Sequence, residues 1–163
     1  MKRININPDE VTNLFLTHSD SDHVGAVKLF KNAKIYLSKL EEQMINGKTS
    51  RFFIFKNKLD VKYELLEGNQ VINLSDVKIK SISTPGHTPG AMCYLVNDKY
   101  IFIGDSMSLK NGEADLFNEL FNMDPETQKL TIKKLAQLSG IKYIFTAHYG
   151  LSDNYEKTFK KWK

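Results

Sequence analysis

Four apolar runs in this chain lead, at once or within three residues, into a histidine or an aspartate. "NLFLT" runs into His18, "VKIKSIST" is followed within three residues by His87, "KYIFIG" ends at Asp105, and "IKYIFTA" ends at His148. Short apolar runs bounded by turn residues read as buried strands. In α/β proteins, the loops at strand ends along one rim of a sheet are where sites are built. A chain that finishes four strands this way is constrained to bring those ends to one edge. The first run adds more: "HSDSDH" (18–23) holds Asp20, Asp22 and half of the chain's four histidines.

The rest of the chain alternates strands with helices. "DHVGAVKLFKN" has helical spacing at Val24, Val27 and Phe30, with Asp20 or Ser21 as its cap. "AKIYL" reads as a second strand, and "SKLEEQMING" as a helix with capping-box spacing at Ser38 and Glu41 and a stop at Gly47. "TSRFFIFKNKL" reads as a loop in which Phe52, Phe53 and Phe55 form an aromatic plug. "DVKYELLEG", "QVINL" and "VKIKSIST" are strands, and "AMCYLV" and "KYIFIGD" form a hairpin turning at Asn97-Asp98. After a polar connector, Asp124 and Pro125 open a helix with Ile132, Leu135 and Leu138 on its apolar face and a stop at Gly140. "IKYIFTAH" is a last strand and "SDNYEKTFKKW" a closing helix. The 163 residues are expected to form one domain, 1–163, of α/β (α+β) class.

Composition narrows the function classes. No apolar run approaches the length of a membrane span, and the start "MKRININPDEV" has no hydrophobic signal core. A single cysteine, Cys93, excludes an internal disulfide and reads as a small buried hydrophobe; a cytoplasmic location is expected. The net charge of +4 is modest and its lysines are scattered. The tail "EKTFKKWK" reads as a solvated helix face, so neither nucleic acid nor a membrane is an expected partner.

Imidazole and carboxylate are standard ligands for zinc, iron and manganese, and Cys93 stands too far from the rest for a thiolate site. Four imidazoles with Asp20, Asp22 and Asp105 exceed what one tetrahedral ion needs. They suit two divalent ions sharing a bridging carboxylate, a recurring hydrolytic device. Gly86 and Gly90 in "TPGHTPG" read as turn residues around His87. Thr88 bonds the turn or a ligand, and Tyr149 packs or reaches substrate.

"THSDSDHVGA", "TPGHTPGAMCY", "FIGDS" and "TAHYG" occur in the order and approximate spacing of the metallo-β-lactamase superfamily, and the chain most resembles its small glyoxalase-II-like hydrolases. The resemblance covers about Leu14 to Gly150. It implies a four-layer αββα sandwich with two metals at the sheet edges, zinc being commonest. His18, Asp20 and His87 would form the first site, Asp22, His23 and His148 the second, and Asp105 would bridge them. Asp22 would also orient or deprotonate the attacking water. Aspartate stands at residue 20 where the family motif, H-x-H-x-D-H, usually has histidine, which shifts preference toward iron or manganese. Family members also have several strands before the first motif, whereas seventeen residues precede His18 here, so the fold is expected to be N-terminally shortened.

The implied activity is attack of a metal-bound hydroxide on an ester-like, thioester-like or lactone substrate, a small molecule. Two other readings stay open: a di-iron redox protein of the same superfamily, since its flavodiiron members carry a carboxylate at the position of Asp20, and an inactive shortened homologue acting as a binding or dimerising module. A sheet lacking its first strands leaves an apolar face uncovered, and a homodimer is the expected remedy. Residues 1–13 and 47–75 folding back over the gap are the alternative.

Overall fold

The computed structural model describes residues 6–51 and 56–163. Its first sheet is parallel, with β2 (Lys34–Ser38) between β1 (Asn13–Phe15) and β3 (Glu64–Leu66). Alternation along β2 sends Ile35 and Leu37 to one face and Tyr36 to the other. Ile35 and Leu37 pack with Leu16, Val27 and Leu59, and against Val24 of α1 (Ser21–Val24) and Ile45 of α2 (Glu42–Ile45). Tyr36 packs with Leu66 and, from the second sheet, with Ile79, Met92 and Tyr94.

That second sheet has six strands: β4 (Val71–Leu74), β5 (Val77–Ser83), β6 (Met92–Val96), β7 (Tyr100–Gly104), β10 (Tyr143–Thr146) and β11 (Leu151–Ser152). They run in the order β11-β10-β7-β6-β5-β4. Only β7 and β10 pair in parallel, which requires a long crossover. The crossover holds a small hairpin of β8 (Ser108–Lys110) and β9 (Glu113–Asp115), then α3 (Pro125–Leu135). Cys93, Leu95, Ile101, Ile103 and Ile144 bury their side chains against Ile132 and Leu135 of α3 and against Phe159, which follows α4 (Tyr155–Thr158). Three apolar clusters thus separate four layers, helix, sheet, sheet and helix, the αββα order expected from the sequence. Among the described residues, no helix is long and apolar enough to cross a membrane.

Several local expectations give way. The helix expected after His18 is one turn, α1, and then a 3₁₀ turn at Val27–Leu29. Gly25, a poor helix former, stands at the break, and both Val24 and Val27 still reach the core. Ser38 makes no capping bond, and Glu41 turns inward instead of capping. The Asn97-Asp98 turn includes Lys99, since Val96 pairs with Tyr100; Asn97 and Asp98 both take positive φ. Asn111-Gly112, within the supposed polar connector, makes the two-residue β8–β9 turn with φ of 55° and 79°. The closing helix shrinks to α4, because β11 takes up Leu151 and Ser152. The aromatic run Phe52, Phe53 and Phe55 lies outside the described residues.

Candidate metal centre

The loop after β1 is anchored to both sheets. Leu16 N–H donates to the Tyr36 carbonyl at 2.9 Å, Met92 N–H to the Thr17 carbonyl at 2.8 Å, and the Tyr94 hydroxyl to the Leu16 carbonyl at 2.8 Å. Thr17 Oγ1 then lies 3.1 Å from His18 Nδ1 and 3.4 Å from His23 Nδ1. With Nδ1 engaged, each ring turns Nε2 toward Asp105, the residue that follows β7. Asp105 Oδ2 lies 3.9 Å from His18 Nε2, 3.4 Å from His23, 3.5 Å from His87 and 3.5 Å from His148. A single carboxylate oxygen therefore stands among all four imidazoles.

The helix α3 and the residue Glu41 hold the His87 loop. Asp124 N–H donates to the Gly86 carbonyl and Met123 N–H to the His87 carbonyl, while Thr131 Oγ1 donates to the Pro85 carbonyl. Glu41 is fully buried; one carboxylate oxygen accepts from Ser19 N–H (2.9 Å) and Ser19 Oγ (2.7 Å), the other from Thr88 Oγ1 (2.7 Å). It ties the His18 loop to the His87 loop. Gly90 matters for space rather than turn geometry: a Cβ there would sit 2.1 Å from the Glu41 nitrogen. Gly86 does take positive φ, 135°, and a Cβ there would meet Gln128. Gln128 in turn donates to the Asp105 carbonyl at 3.2 Å.

The donor atoms fall into two groups, His18 with His87 and Asp105, and Asp22 with His23 and His148, each with all ligand atoms within 4.8 Å of one another. Asp22 Oδ2 lies 3.2 Å from His148 Nε2 and 3.7 Å from His23 Nε2. Asp20 Oδ2 lies 3.2 Å from His87 Nε2 and 3.5 Å from His18 Nε2, and it is also paired with Arg51. All seven residues picked from the sequence thus converge, with one change of emphasis. Asp105 groups with His18 and His87, and Asp20 stands at the edge of that group, held by a cation.

The chemistry of the donors fits a divalent cation. His18 Nε2 and Asp105 Oδ1 are buried with no hydrogen-bond partner among the described residues, a costly arrangement that a cation relieves. Burial pushes the His87 pKa down, outweighing Asp20 and Asp105, which favours the neutral imidazole that a metal requires. For Asp20, burial acts upward, but the nearby imidazoles of His18 and His87, with Arg51, hold it far below the usual carboxylate range. Asp105 is lowered in the same way: burial opposes, and His23 and the other imidazoles prevail. His23 is raised because Asp105 outweighs burial.

The centre forms the floor of a cleft of about 1010 Å³. Phe117, Phe121 and Tyr149 line it, as do Arg51 and the 56–61 segment. Phe117 packs edge-on to His87 at 4.7 Å and to Tyr149 at 5.7 Å.

The family model described as the metallo-beta-lactamase superfamily matches residues 1–148. The chain belongs to this superfamily. As a superfamily member it is 28% identical over 151 residues to a probable metallo-hydrolase of Methanocaldococcus jannaschii, covering 93% of this chain and 63% of that one. It is 29% identical over 143 residues to a hydroxyacylglutathione hydrolase of Maricaulis maris, covering 85% of this chain and 48% of that one. In structure it is similar to a metallo-beta-lactamase superfamily protein of Sulfolobus tokodaii, with a TM-score of 0.68 at 22% identity over 94% of this chain and 67% of that one. The chain therefore spans about half to two thirds of the length of these relatives.

Glu41, read from the sequence only as a helix cap, joins the centre, as do Arg51, Asn57 and Phe117, which were not singled out. Only Arg51 carried a signal: two of the 23 basic residues are arginine, and an arginine amid lysines marks a place where a forked, permanently charged group is needed.

Proposed function

We propose that the chain is a metal-dependent hydrolase holding two divalent cations side by side and cleaving an ester-like, thioester-like or lactone bond. The observation that carries this reading is Asp105 Oδ2 within 3.9 Å of all four imidazole Nε2 atoms, between two groups of ligands. His18, His87 and Asp105, with Asp20 at the edge, would hold one ion; Asp22, His23 and His148, with Asp105, would hold the other. Bound there, such ions supply a nucleophile at neutral pH and a Lewis acid for the scissile carbonyl.

The chain's own residues do the rest. Thr17 fixes the rings of His18 and His23 through Nδ1, as hydrogen-bond partners behind metal ligands do. Asp22 is the most exposed of the three carboxylates lining the cleft, 58% against 12% for Asp20 and 5% for Asp105. It is therefore the group able to orient an incoming water and take its proton. Phe117, Phe121 and Tyr149 offer an apolar wall for the acyl or leaving group. The match to hydroxyacylglutathione hydrolases supports an acylated thiol as the first substrate to try. Four imidazoles suit zinc; the third carboxylate suits iron or manganese.

The test is hydrolysis of a panel of esters, lactones and hydroxyacylglutathione by protein loaded with zinc or manganese. Turnover of at least one class, lost with a chelator and reduced at least about a hundredfold by His148→Ala, is expected. Protein that carries two ions yet hydrolyses none of the three classes would contradict the reading.

A further inference from the structure

Three carboxylates meet at the centre, and the guanidinium of Arg51 pairs with one of them, Asp20. Arg51, with its side chain 13% exposed, pairs through Nη1 with Asp20 Oδ2; its Nη2 donates to the His87 carbonyl at 3.2 Å and lies 3.4 Å from His87 Nε2. Asn57 Nδ2 holds the other Asp20 oxygen at 3.0 Å and also donates to Ser19 Oγ at 2.8 Å. Asp20 is thus gripped at both oxygens, while Oδ2, the one paired with Arg51, also faces the rings of His18 and His87. An arginine this buried keeps its charge, so it needs a carboxylate; removing either partner strands the other. A lysine would supply charge without the fork that reaches both Asp20 and the His87 carbonyl.

We infer that Arg51 is a positioning residue that works with Asp20 as one unit, presenting an oxygen donor to the His18–His87 group with no net charge. A neutral imidazole at residue 20 would bring the same zero charge without needing Arg51. The inference rests on the metal-dependent reading. Its consequence is a specific coupling: Asp20 cannot be neutralised alone, because that leaves a bare guanidinium beside the cations, but Asp20 and Arg51 can be neutralised together.

A double-mutant cycle on zinc affinity, read by competition with a chromophoric chelator, tests this. Asp20→His is expected to weaken the weaker of two zinc-binding steps at least about tenfold, and Asp20→His/Arg51→Gln to bring it back within about threefold of the unaltered chain. Should Asp20→His fail to fold, Asp20→Asn and Asp20→Asn/Arg51→Gln, which keep the shape of the side chain, carry the same cycle. Thermal unfolding of the metal-free variants separates lost affinity from lost fold. If the unaltered chain binds two ions and the second substitution restores nothing, or Asp20→His binds as well as the unaltered chain, the inference is overturned and the metal reading stands. An unaltered chain that binds no divalent ion overturns both.

Discussion

Cys93 shows how the core treats a potentially reactive group. It is fully buried, with Sγ 3.3 Å from Thr84 Oγ1 and 3.4 Å from Ser106 Oγ, and burial pushes its thiol up to about 11 against the mild pull of those hydroxyls. The thiolate is the reactive form, so a thiol reagent at pH 8 should label the native chain far more slowly than the unfolded one. Labelling of the native chain at pH 8 as fast as that of a free thiol would contradict this. Buried Cys93 was legible from the sequence, as were the seven histidines and aspartates, because each donor directly follows or lies near an apolar run. Glu41 and Arg51 were not. Glu41 bonds Ser19 and Thr88 across 22 and 47 positions, and Arg51 meets Asp20 across 31, contacts that no local pattern encodes.

Among the elements, α3 carries the clearest start signal, and it also holds the His87 loop. Asp124 caps it, accepting from Thr127 N–H at 2.9 Å and Thr127 Oγ1 at 2.7 Å. Asp124→Ala should cost about 1 kcal/mol in denaturant unfolding, the usual size of a lost cap. Those bonds from the Thr127 backbone and hydroxyl lower the Asp124 pKa in the fold. On acidification the unfolded chain therefore takes up this proton first. The cap's contribution is complete above the ordinary aspartate value and fades as pH falls through the lowered one. The difference between the unaltered and Asp124→Ala chains should shrink accordingly; a difference unchanged down to pH 2 would contradict the capping role. Where cap and periodicity agreed, as at the start of α3, the element followed the sequence, although α3 ends at Leu135, short of the stop expected at Gly140. Where a periodic run contained Gly25, the helix shortened to a turn. Asn111-Gly112 was an overlooked hairpin signal, hidden because its strands are only three residues each.

At the scale of the whole molecule, the layers do not cover one another completely. A row of side chains crosses four strands of the second sheet: Tyr94, Phe102, Phe145 and Leu151. Phe15 of β1 covers Tyr94 at 5.2 Å, but Phe102 is 44% and Leu151 57% exposed, and Tyr100 and Tyr143 beside them form a second exposed pair. Of the described part of 47–75, residues 56–61 line the cleft, β3 joins the first sheet, and β4 forms the edge of the second sheet opposite β11, so none of it pairs with β7, β10 or β11. We expect a second copy to cover the row in a homodimer burying more than about 1,000 Å² in total. Light scattering should give a dimer that Phe102→Glu converts to a monomer of 18.7 kDa; an unaltered chain that stays monomeric and binds no hydrophobic dye would contradict it. The sandwich itself was legible through the resemblance carried by the four motifs, while strand and helix patterns alone indicated a mixed α/β class; the extent of cover depends on how the layers are offset. The central claim, that one rim of this sandwich holds two adjacent cations, is tested most directly by elemental analysis of chain purified without added metal and then dialysed against limiting zinc or manganese. About two ions per chain are expected, falling to one or fewer in Asp105→Ala. A well-folded chain that retains none would contradict it.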